Sequence, residues 1–303
     1  MTRRVLMIFW DGVGYGKKDA ATNPFFTAHL PTFTTLFDGE IPSLRDQKIY
    51  TKKAGVVPVN TTFGMKGLPQ SGTGQAAIFT GVNASKIVGQ HFGPYPHSSL
   101  HSTIREKNLF TQLHQRGKKT YFANAYPQRY FDYLAAHKAR TPVVALSSIS
   151  AQQPLHDHIE LAAGKAISAD ITGTRWNEFG HQDVHPVSAA EAGRRFYELS
   201  RAVDFILFEY FLTDYSGHSK NMETAVDTLE RMDGFLSGIL EHFDEATDTV
   251  LFISDHGNIE DLSVKSHTRN PTPLIVVGNQ REYFTSHIHK LYHVTPAIIS
   301  FLT

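Results

Sequence analysis

The chain of 303 residues contains no cysteine. Disulfide bonds, thiolate zinc sites and cysteine nucleophiles are therefore excluded. The chain also lacks an excess of charge of either sign, because Lys plus Arg and Asp plus Glu both total 29. Since no net field attracts an anionic polymer or an anionic surface, we expect neither nucleic acid nor a membrane as a partner.

Long hydrophobic runs are lacking as well, and no run approaches the length of a membrane span. The apolar stretch 5–10 near the start is too short for a signal region and leads directly into Asp11, so it predicts a first core strand. A cytoplasmic enzyme is the default expectation. Nothing in the sequence predicts how many chains assemble.

What the chain does have is an ordinary apolar content of 41% and enough length for one large domain or two modest ones. Short apolar or aromatic runs recur between helical patterns and predict buried strands. These runs are Val5 to Trp10, Tyr121 to Ala125, Asp204 to Leu212, Thr249 to Ser254 and Leu274 to Val277.

Helix signals separate these runs. Ser188 and Glu191 form a predicted capping box for a helix to about Ala202. Apolar positions at helical spacing follow Asn221 to about position 243, and Thr295 before Pro296 predicts the start of a final helix. Alternating strands and helices predict an α/β fold with a doubly wound, mostly parallel sheet.

The middle of the chain differs in composition, being rich in His, Pro and aromatic residues between about Lys86 and Val187. We interpret residues 86–186 as an inserted cap or substrate domain. Residues 1–85 and 187–303 then form a discontinuous core that carries the metal-binding and catalytic residues.

Asp11 follows the first predicted strand and is itself followed by GVGYG. An acidic residue at the carboxyl end of a strand, in a glycine-rich loop, is well placed to bind a cation, although a turn aspartate is equally compatible. A dinucleotide-binding loop is a weaker interpretation, because the glycines at 12, 14 and 16 have the spacing G-x-G-x-G rather than G-x-G-x-x-G.

Ser71 lies in the stretch Gly67 to Gly81, ahead of a helical pattern from Gln75 to Phe79. There it would be near the positive end of a helix, where free N–H groups stabilise an alkoxide or a phosphate. A serine hydroxyl becomes a nucleophile only when a base or a metal lowers its pKa. A simple helix cap is the alternative for an isolated Ser-Gly.

Two further strand ends each supply an aspartate and a histidine: Asp214 with His218, and Asp255 with His256. His267 lies in a loop just ahead of the last strand. Together with Asp11 and Ser71, these residues offer three carboxylates, three imidazoles and one hydroxyl, a set that suits two divalent cations and a phosphoryl group.

In order and spacing, these seven residues resemble the alkaline phosphatase superfamily. Within it they are most similar to the branch of cofactor-independent phosphoglycerate mutase and phosphopentomutase. The resemblance covers residues 1–85 and 187–303. It implies an alkaline phosphatase-like fold, and a serine nucleophile at Ser71 that carries a phosphoserine intermediate.

The resemblance also implies two metal sites. Asp11, Ser71, Asp255 and His256 would bind one ion, and Asp214, His218 and His267 would bind the other. Manganese is slightly favoured over zinc by the resemblance, whereas the ligand types fit either ion.

Two departures bear on the reaction. Mutases of this branch carry a serine motif that ends in Gly-His, whereas Gly74 is followed by Gln75 here. The segment between Ser71 and Asp214 is also shorter than in phosphoglycerate mutase. We therefore favour a phosphatase or phosphodiesterase, with a phosphomutase acting on a small phosphorylated metabolite, such as a phosphoglycerate or a sugar phosphate, as the alternative. A catalytically idle metal-binding protein is the second alternative.

Substrate recognition is expected from the predicted cap. Cations that match a phosphate or carboxylate are candidates, namely Arg129, Arg140, Arg175, His91 and His97. Two histidine pairs have ligand-like spacings and are interpreted as surface histidines, namely His156 with His158 and His181 with His185.

Overall fold

A computed structural model describes residues 3–303. Strands lie at the predicted positions, and further strands lie between them. They are β1 (Arg4–Trp10), β2 (Ile49–Tyr50), β3 (Ala54–Val59), β4 (Thr120–Phe122), β5 (Asn124–Ala125), β6 (Ile167–Ser168), β7 (Phe205–Tyr210), β8 (Asp248–Ile253) and β9 (Thr272–Val277).

The central sheet has seven strands in the order β2-β3-β9-β8-β1-β7-β4. Strands β8, β1, β7 and β4 pair in parallel, whereas β9 is antiparallel to both β8 and β3, and β2 is antiparallel to β3. Five of the seven strands (β1, β3, β4, β7 and β8) therefore run in one direction, which confirms the mostly parallel sheet.

Four of the five predicted strands are confirmed, and the fifth divides. Of the run from Tyr121 to Ala125, the first part belongs to β4 in the central sheet. The second part is β5, which pairs with β6 in a separate two-stranded sheet. Strand β3, which contains Gly55 and Pro58 and lies inside the central sheet, was not predicted from the sequence.

Helices connect the strands. They are α1 (Pro31–Leu36), α2 (Ser71–Thr80), α3 (Ala84–Val88), α4 (His101–Lys107), α5 (Leu109–His114), α6 (Gln128–Ala136), α7 (Val143–Ser150), α8 (His158–Ala162), α9 (Ala189–Ser200), α10 (Leu212–Ser219), α11 (Met222–Leu240), α12 (Arg281–His287) and α13 (Val294–Leu302).

The predicted helix starts are confirmed at α9 and α11 and wrong at α13. The side chains of Ser188 and Asn221 accept hydrogen bonds from backbone N–H groups in the first turns of α9 and α11. The last helix begins at Val294, so Thr295 lies inside it and its hydroxyl donates to the carbonyl of Ile78 instead. The capping box predicted for α9 is only half formed, because the carboxylate of Glu191 accepts from Arg194 and Arg195 rather than from the backbone N–H of Ser188.

Helices cover both faces of the sheet, as β1 illustrates. Val5, Met7 and Phe9 face the side packed by α2, α4, α5 and α13. The residues that alternate with them, Leu6, Ile8 and Trp10, face α9 and α11. All six apolar residues are fully buried. The doubly wound arrangement predicted from the sequence is therefore confirmed.

The segment 86–186 contributes to two regions. Apolar side chains of α4, α5, α7 and β4 pack into the large core against the central sheet. Around the β5–β6 sheet, a smaller cluster forms, centred on Leu161, Trp176 and Val184. The division into a core of residues 1–85 and 187–303 and a cap of residues 86–186 stays a prediction.

One edge of the sheet collects the polar residues of interest. The carboxyl ends of the parallel strands β1, β7 and β8 meet there, together with the amino end of the antiparallel β9. This is the edge at which open α/β sheets bind ligands. Among residues 3–303, no helix has the length and apolar character needed to cross a bilayer.

Candidate metal centre

The seven predicted site residues lie at this edge of the sheet. Asp11 directly follows β1, Asp255 and His256 follow β8, and His267 precedes β9. Ser71 is the first residue of α2. The sequence interpretation placed Asp214 and His218 at a strand end, whereas both lie on α10, one turn apart.

The first group of side chains surrounds His256. Its Nε2 atom is 2.9 Å from the Ser71 hydroxyl oxygen. The same nitrogen is 3.4 Å from Asp11 Oδ1 and 3.5 Å from Asp255 Oδ2. All four residues are buried, so one imidazole nitrogen, two carboxylates and one hydroxyl converge beneath the protein surface.

This convergence does not form a serine–histidine–aspartate triad. In such a triad the carboxylate binds the histidine nitrogen that faces away from the serine. Here both carboxylates face Nε2, while His256 Nδ1 is buried without a hydrogen-bond partner among residues 3–303. Asp11 Oδ1 and Asp255 Oδ2 are equally buried and unpartnered within that range. Buried acceptors directed at one point are the arrangement expected around a cation.

The charges of this group also favour a bound cation. Burial, together with the negative charges of Asp255 and Asp214, raises the pKa of Asp11 well above its usual value. Closely spaced carboxylates in a buried site repel one another when both are ionised. A divalent cation would remove that repulsion, because it attracts each of the charges.

The second group consists of Asp214, His218 and His267. His218 Nε2 is 3.3 Å from Asp214 Oδ2 and 3.3 Å from His267 Nε2. His267 Nε2 is also 3.8 Å from Asp214 Oδ1. The two imidazoles therefore approach each other and different oxygens of the Asp214 carboxylate.

Backbone carbonyls orient both imidazoles of this group. His267 Nδ1 is 2.8 Å from the carbonyl of Pro69, and His218 Nδ1 is 3.0 Å from the carbonyl of Lys265. Each Nδ1–H therefore donates to a carbonyl, which leaves the Nε2 lone pair free to bind a metal. Burial, followed by the neighbouring His256, lowers the pKa of His267, which favours the neutral form that metals require.

The two groups adjoin. The rings of His256 and His267 are stacked, with centroids 3.7 Å apart. Asp11, Asp255 and His256 offer three ligand atoms within 4.8 Å of one another, and so do Asp214, His256 and His267. This donor set fits two adjacent divalent cations.

Buried polar residues support the ligands; Asn258 was a candidate for this role from the sequence, whereas Gln75 was not. The amide of Gln75 donates to Asp11 Oδ2 over 3.1 Å. The amide of Asn258 donates to Asp214 Oδ1 over 2.7 Å. An amide next to a glycine-rich serine turn carries no distinctive sequence signal, so Gln75 was visible only as a departure from the mutase pattern.

Glu260 connects three loops of the centre. One carboxylate oxygen accepts from the backbone N–H of Gly14 at 2.9 Å and of Asn258 at 2.7 Å. The other accepts from the Asn270 amide at 2.9 Å and from the Thr268 hydroxyl. The loops after β1 and β8 and the loop before β9 are thus joined through one buried side chain.

Glu209 is a further acidic residue beside the centre. Burial raises its pKa to about 7, and its carboxylate accepts a hydrogen bond from the Tyr126 hydroxyl over 3.3 Å. The available signal was a single acidic residue within the otherwise apolar strand β7, FILFEY.

Close packing at the centre also requires glycine at position 12. Its φ of +68° is in the left-handed region, and a Cβ atom there would lie 2.4 Å from Asp214 Oδ1. A side chain would therefore displace a ligand as well as strain the backbone.

A cavity of about 770 Å³ opens over the centre. Its polar floor includes Asp11, Ser71 and Asp214, and segment 86–186 supplies much of its wall. Aromatic residues that line it include Tyr95, Tyr126, Tyr130, Tyr133, Trp176, Phe179, Phe211 and Tyr215.

Of the basic side chains predicted to recognise the substrate, some line the cavity and others do not. Arg129 and Arg175 line the cavity, and their guanidinium carbons lie 3.7 and 5.4 Å from the centroid of the Phe179 ring. Arg140, His91 and His97 are not among the lining residues. Two of the five candidates therefore line the cavity above the centre.

Comparison with known proteins identifies the family and the fold. A family model described as the Metalloenzyme superfamily matches residues 3–303. The 2,3-bisphosphoglycerate-independent phosphoglycerate mutase of Agrobacterium fabrum (strain C58 / ATCC 33970) is 29% identical over 129 residues, which span 40% of this chain and 25% of that protein. That of Antithamnion sp. is 29% identical over 106 residues, spanning 32% and 21%. The matched stretches cover a quarter or less of these mutases.

Solved structures share the fold along the whole chain. Alkaline phosphatase from the Antarctic bacterium TAB5 aligns with a TM-score of 0.55 and 13% identity, covering 100% of this chain and 99% of that one. Leishmania mexicana phosphoglycerate mutase aligns with a TM-score of 0.52 and 12% identity, covering 100% and 95%. These neighbours confirm the alkaline phosphatase-like fold predicted from the sequence, and the family match over residues 3–303 shows that the chain belongs to the Metalloenzyme superfamily.

Proposed function

We propose that the protein transfers phosphoryl groups through a phosphoserine at Ser71 and hydrolyses a phosphate ester. One observation carries this proposal: buried, unpartnered carboxylate oxygens and oriented imidazole nitrogens converge next to the Ser71 hydroxyl, beneath an open cavity. Mutases and phosphatases of the same fold support a phosphoryl substrate.

Asp11, Ser71, Asp255 and His256 would bind one divalent cation, and Asp214, His218 and His267 the other. When bound, the two cations would neutralise charge on the phosphoryl oxygens and lower the pKa of the Ser71 hydroxyl. Manganese and zinc both fit these ligands.

Ser71 acts as the nucleophile in this proposal. Its oxygen forms a bond to phosphorus while the bond from phosphorus to the ester oxygen breaks, and the alcohol leaves with a proton. Its position at the first residue of α2 places the phosphoryl group near the free N–H groups at that end of the helix. Water then releases phosphate from the serine.

Two observations favour water over a second substrate hydroxyl as the acceptor. Gln75 stands where the mutases carry histidine, and it binds Asp11. The side chain of His218 is 42% exposed, so solvent reaches the centre. The phosphomutase alternative requires the segment 86–186 to exclude water until the product hydroxyl accepts the phosphoryl group.

The test is a substrate screen on protein that has been stripped with a chelator and reloaded with manganese or zinc. We expect release of inorganic phosphate from an aryl phosphate and from at least one class of phosphorylated metabolite, lost with the chelator and restored by metal. Isomerisation of a sugar phosphate or phosphoglycerate without release of phosphate would identify a mutase. No reaction with any ester after reloading would indicate an idle metal-binding protein.

Arg129 and Arg175 are proposed to bind a second anionic or polar group of the substrate from the cavity wall. Replacing Arg129 by alanine should raise KM by about tenfold and leave kcat within about twofold, because the guanidinium would bind a part of the substrate that does not react and its contact is worth about 1–2 kcal/mol. Steady-state kinetics on the best substrate of the screen measures both constants.

Arg140→Ala is the matched control, since Arg140 belongs to the same segment and does not line the cavity. Its kinetic constants should equal those of the unmodified protein. Equal KM values for all three proteins would show that Arg129 does not contact the substrate.

A further inference from the structure

We propose a third divalent-cation site, separate from the Ser71 centre and formed by His158, His181 and Asp183. These residues offer three ligand atoms that lie within 4.8 Å of one another. The site requires neither the catalytic cations nor the proposed reaction, because none of its residues belongs to the centre at the edge of the main sheet.

The three side chains converge without bonding to one another. The rings of His158 and His181 are stacked with centroids 4.3 Å apart. His158 Nε2 is 3.9 Å from Asp183 Oδ2, and His158 Nδ1 is 4.0 Å from Asp157 Oδ1. Both separations exceed a hydrogen bond, which ends near 3.2 Å for a nitrogen donor.

One buried ring nitrogen of the cluster lacks a partner. His181 Nε2 is buried and has no hydrogen-bond partner in the described chain, residues 3–303. With bonds of 2.0–2.1 Å, zinc ligands in a tetrahedral site lie about 3.4 Å apart. The observed 3.9 Å therefore needs a contraction of about 0.5 Å, which small side-chain rotations supply.

By sequence spacing, these histidines belong to different pairs, His156 with His158 and His181 with His185. His156, paired with His158 by spacing, is buried and stacks on Tyr121, with ring centroids 4.9 Å apart. Its interpretation as a surface histidine is wrong. His185, paired with His181 by spacing, is not in the cluster. The fold instead brings together one histidine from each pair, because His158 at the start of α8 stacks on His181 in the loop after Phe179.

The position of the cluster gives it a structural consequence. His158 is the first residue of α8, whereas His181 and Asp183 follow a short 3-10 helix, Asn177–Phe179. The Trp176 ring lies 5.4 Å from the His181 ring, and both Trp176 and Phe179 line the large cavity. A cation bound here would cross-link two segments and fix the cavity wall that carries Trp176 and Phe179.

Two imidazoles and one carboxylate suit zinc, with water in the fourth position, since the Asp183 side chain is half-exposed. The site differs from the Ser71 centre in lacking a nucleophile. Its inferred role is therefore structural.

The experiment measures zinc per chain on the full-length protein after chelation, reloading with zinc and removal of excess metal. His181→Ala and Asp183→Asn should each bind one zinc fewer than the unmodified protein. His185→Ala, which removes an exposed histidine outside the cluster, should bind the same amount as the unmodified protein. Equal zinc in all four proteins would overturn the proposal.

Two additions keep the result decisive. If His181→Ala lacks the circular dichroism of the folded protein, Asp183→Asn alone decides, because its half-exposed side chain bears little on folding. The Asp214→Ala background separates this site from the catalytic one, since introducing Asp183→Asn there should still remove one zinc. No further loss in that background would assign the zinc to the Ser71 centre and contradict a third site.

Discussion

Replacing Ser71 by alanine should lower kcat for phosphate-ester hydrolysis by about 10³-fold or more, as removal of a nucleophile does in other hydrolases. The hydroxyl would form the covalent intermediate, so no neighbouring group replaces it. Metal content should stay nearly unchanged, because the carboxylates of Asp11 and Asp255 and the imidazole of His256 remain. Kinetics and metal analysis on the same sample measure the two effects.

Ser147→Ala is the matched control. Ser147 is a buried serine whose hydroxyl donates within its own helix, α7, to the carbonyl of Val143. This variant should lose about 1 kcal/mol of stability and keep its activity.

Rapid acid quenching followed by mass spectrometry should find phosphate on the peptide that contains Ser71. Turnover of Ser71→Ala at the unmodified rate would reject Ser71 as the nucleophile.

Replacing Glu260 by glutamine should weaken metal binding by about 10- to 100-fold, although Glu260 is not among the proposed ligands. Its two oxygens accept from the N–H groups of Gly14 and Asn258 on one side and from Asn270 and Thr268 on the other. A glutamine amide can direct its oxygen to only one side. On the other side its NH₂ group would meet either the two backbone N–H donors or the Asn270 amide donor and a Thr268 hydroxyl that must turn to accept.

The same substitution should lower the free energy of unfolding by about 2–3 kcal/mol, since buried donors lose their acceptor. Asp261→Asn is the control, because within residues 3–303 the Asp261 side chain bonds only to Ser263, two residues away. Isothermal titration with manganese and denaturant unfolding measure the two effects. Equal metal affinity for Glu260→Gln and Asp261→Asn would show that Glu260 does not position the centre.

The strand ends explain how the site could be predicted from the sequence. Asp11 and Asp255 each follow an apolar run, and parallel strands bring such positions to one edge of a sheet. His267 precedes its strand rather than following it, and it reaches the same edge because β9 runs antiparallel to β8. Alternating strands and helices were sufficient for the doubly wound fold.

Other features depend on contacts that no local pattern encodes. Strand β3 contains Gly55 and Pro58, which disfavour a strand locally, and it forms because β9 and β2 pair with it on either side. Thr295 resembles a helix cap, yet its hydroxyl binds the carbonyl of Ile78 on α2. His158 and His181, both interpreted as surface histidines, stack with ring centroids 4.3 Å apart although they come from different segments.

The central claim is that two divalent cations lie between these seven side chains and beside Ser71. Crystals soaked in manganese and measured at an X-ray energy that maximises its anomalous signal test it most directly. The account predicts two anomalous peaks about 4 Å apart, one among Asp11, Ser71, Asp255 and His256 and the other among Asp214, His218 and His267. Density for the seven side chains with no peak between them would contradict it.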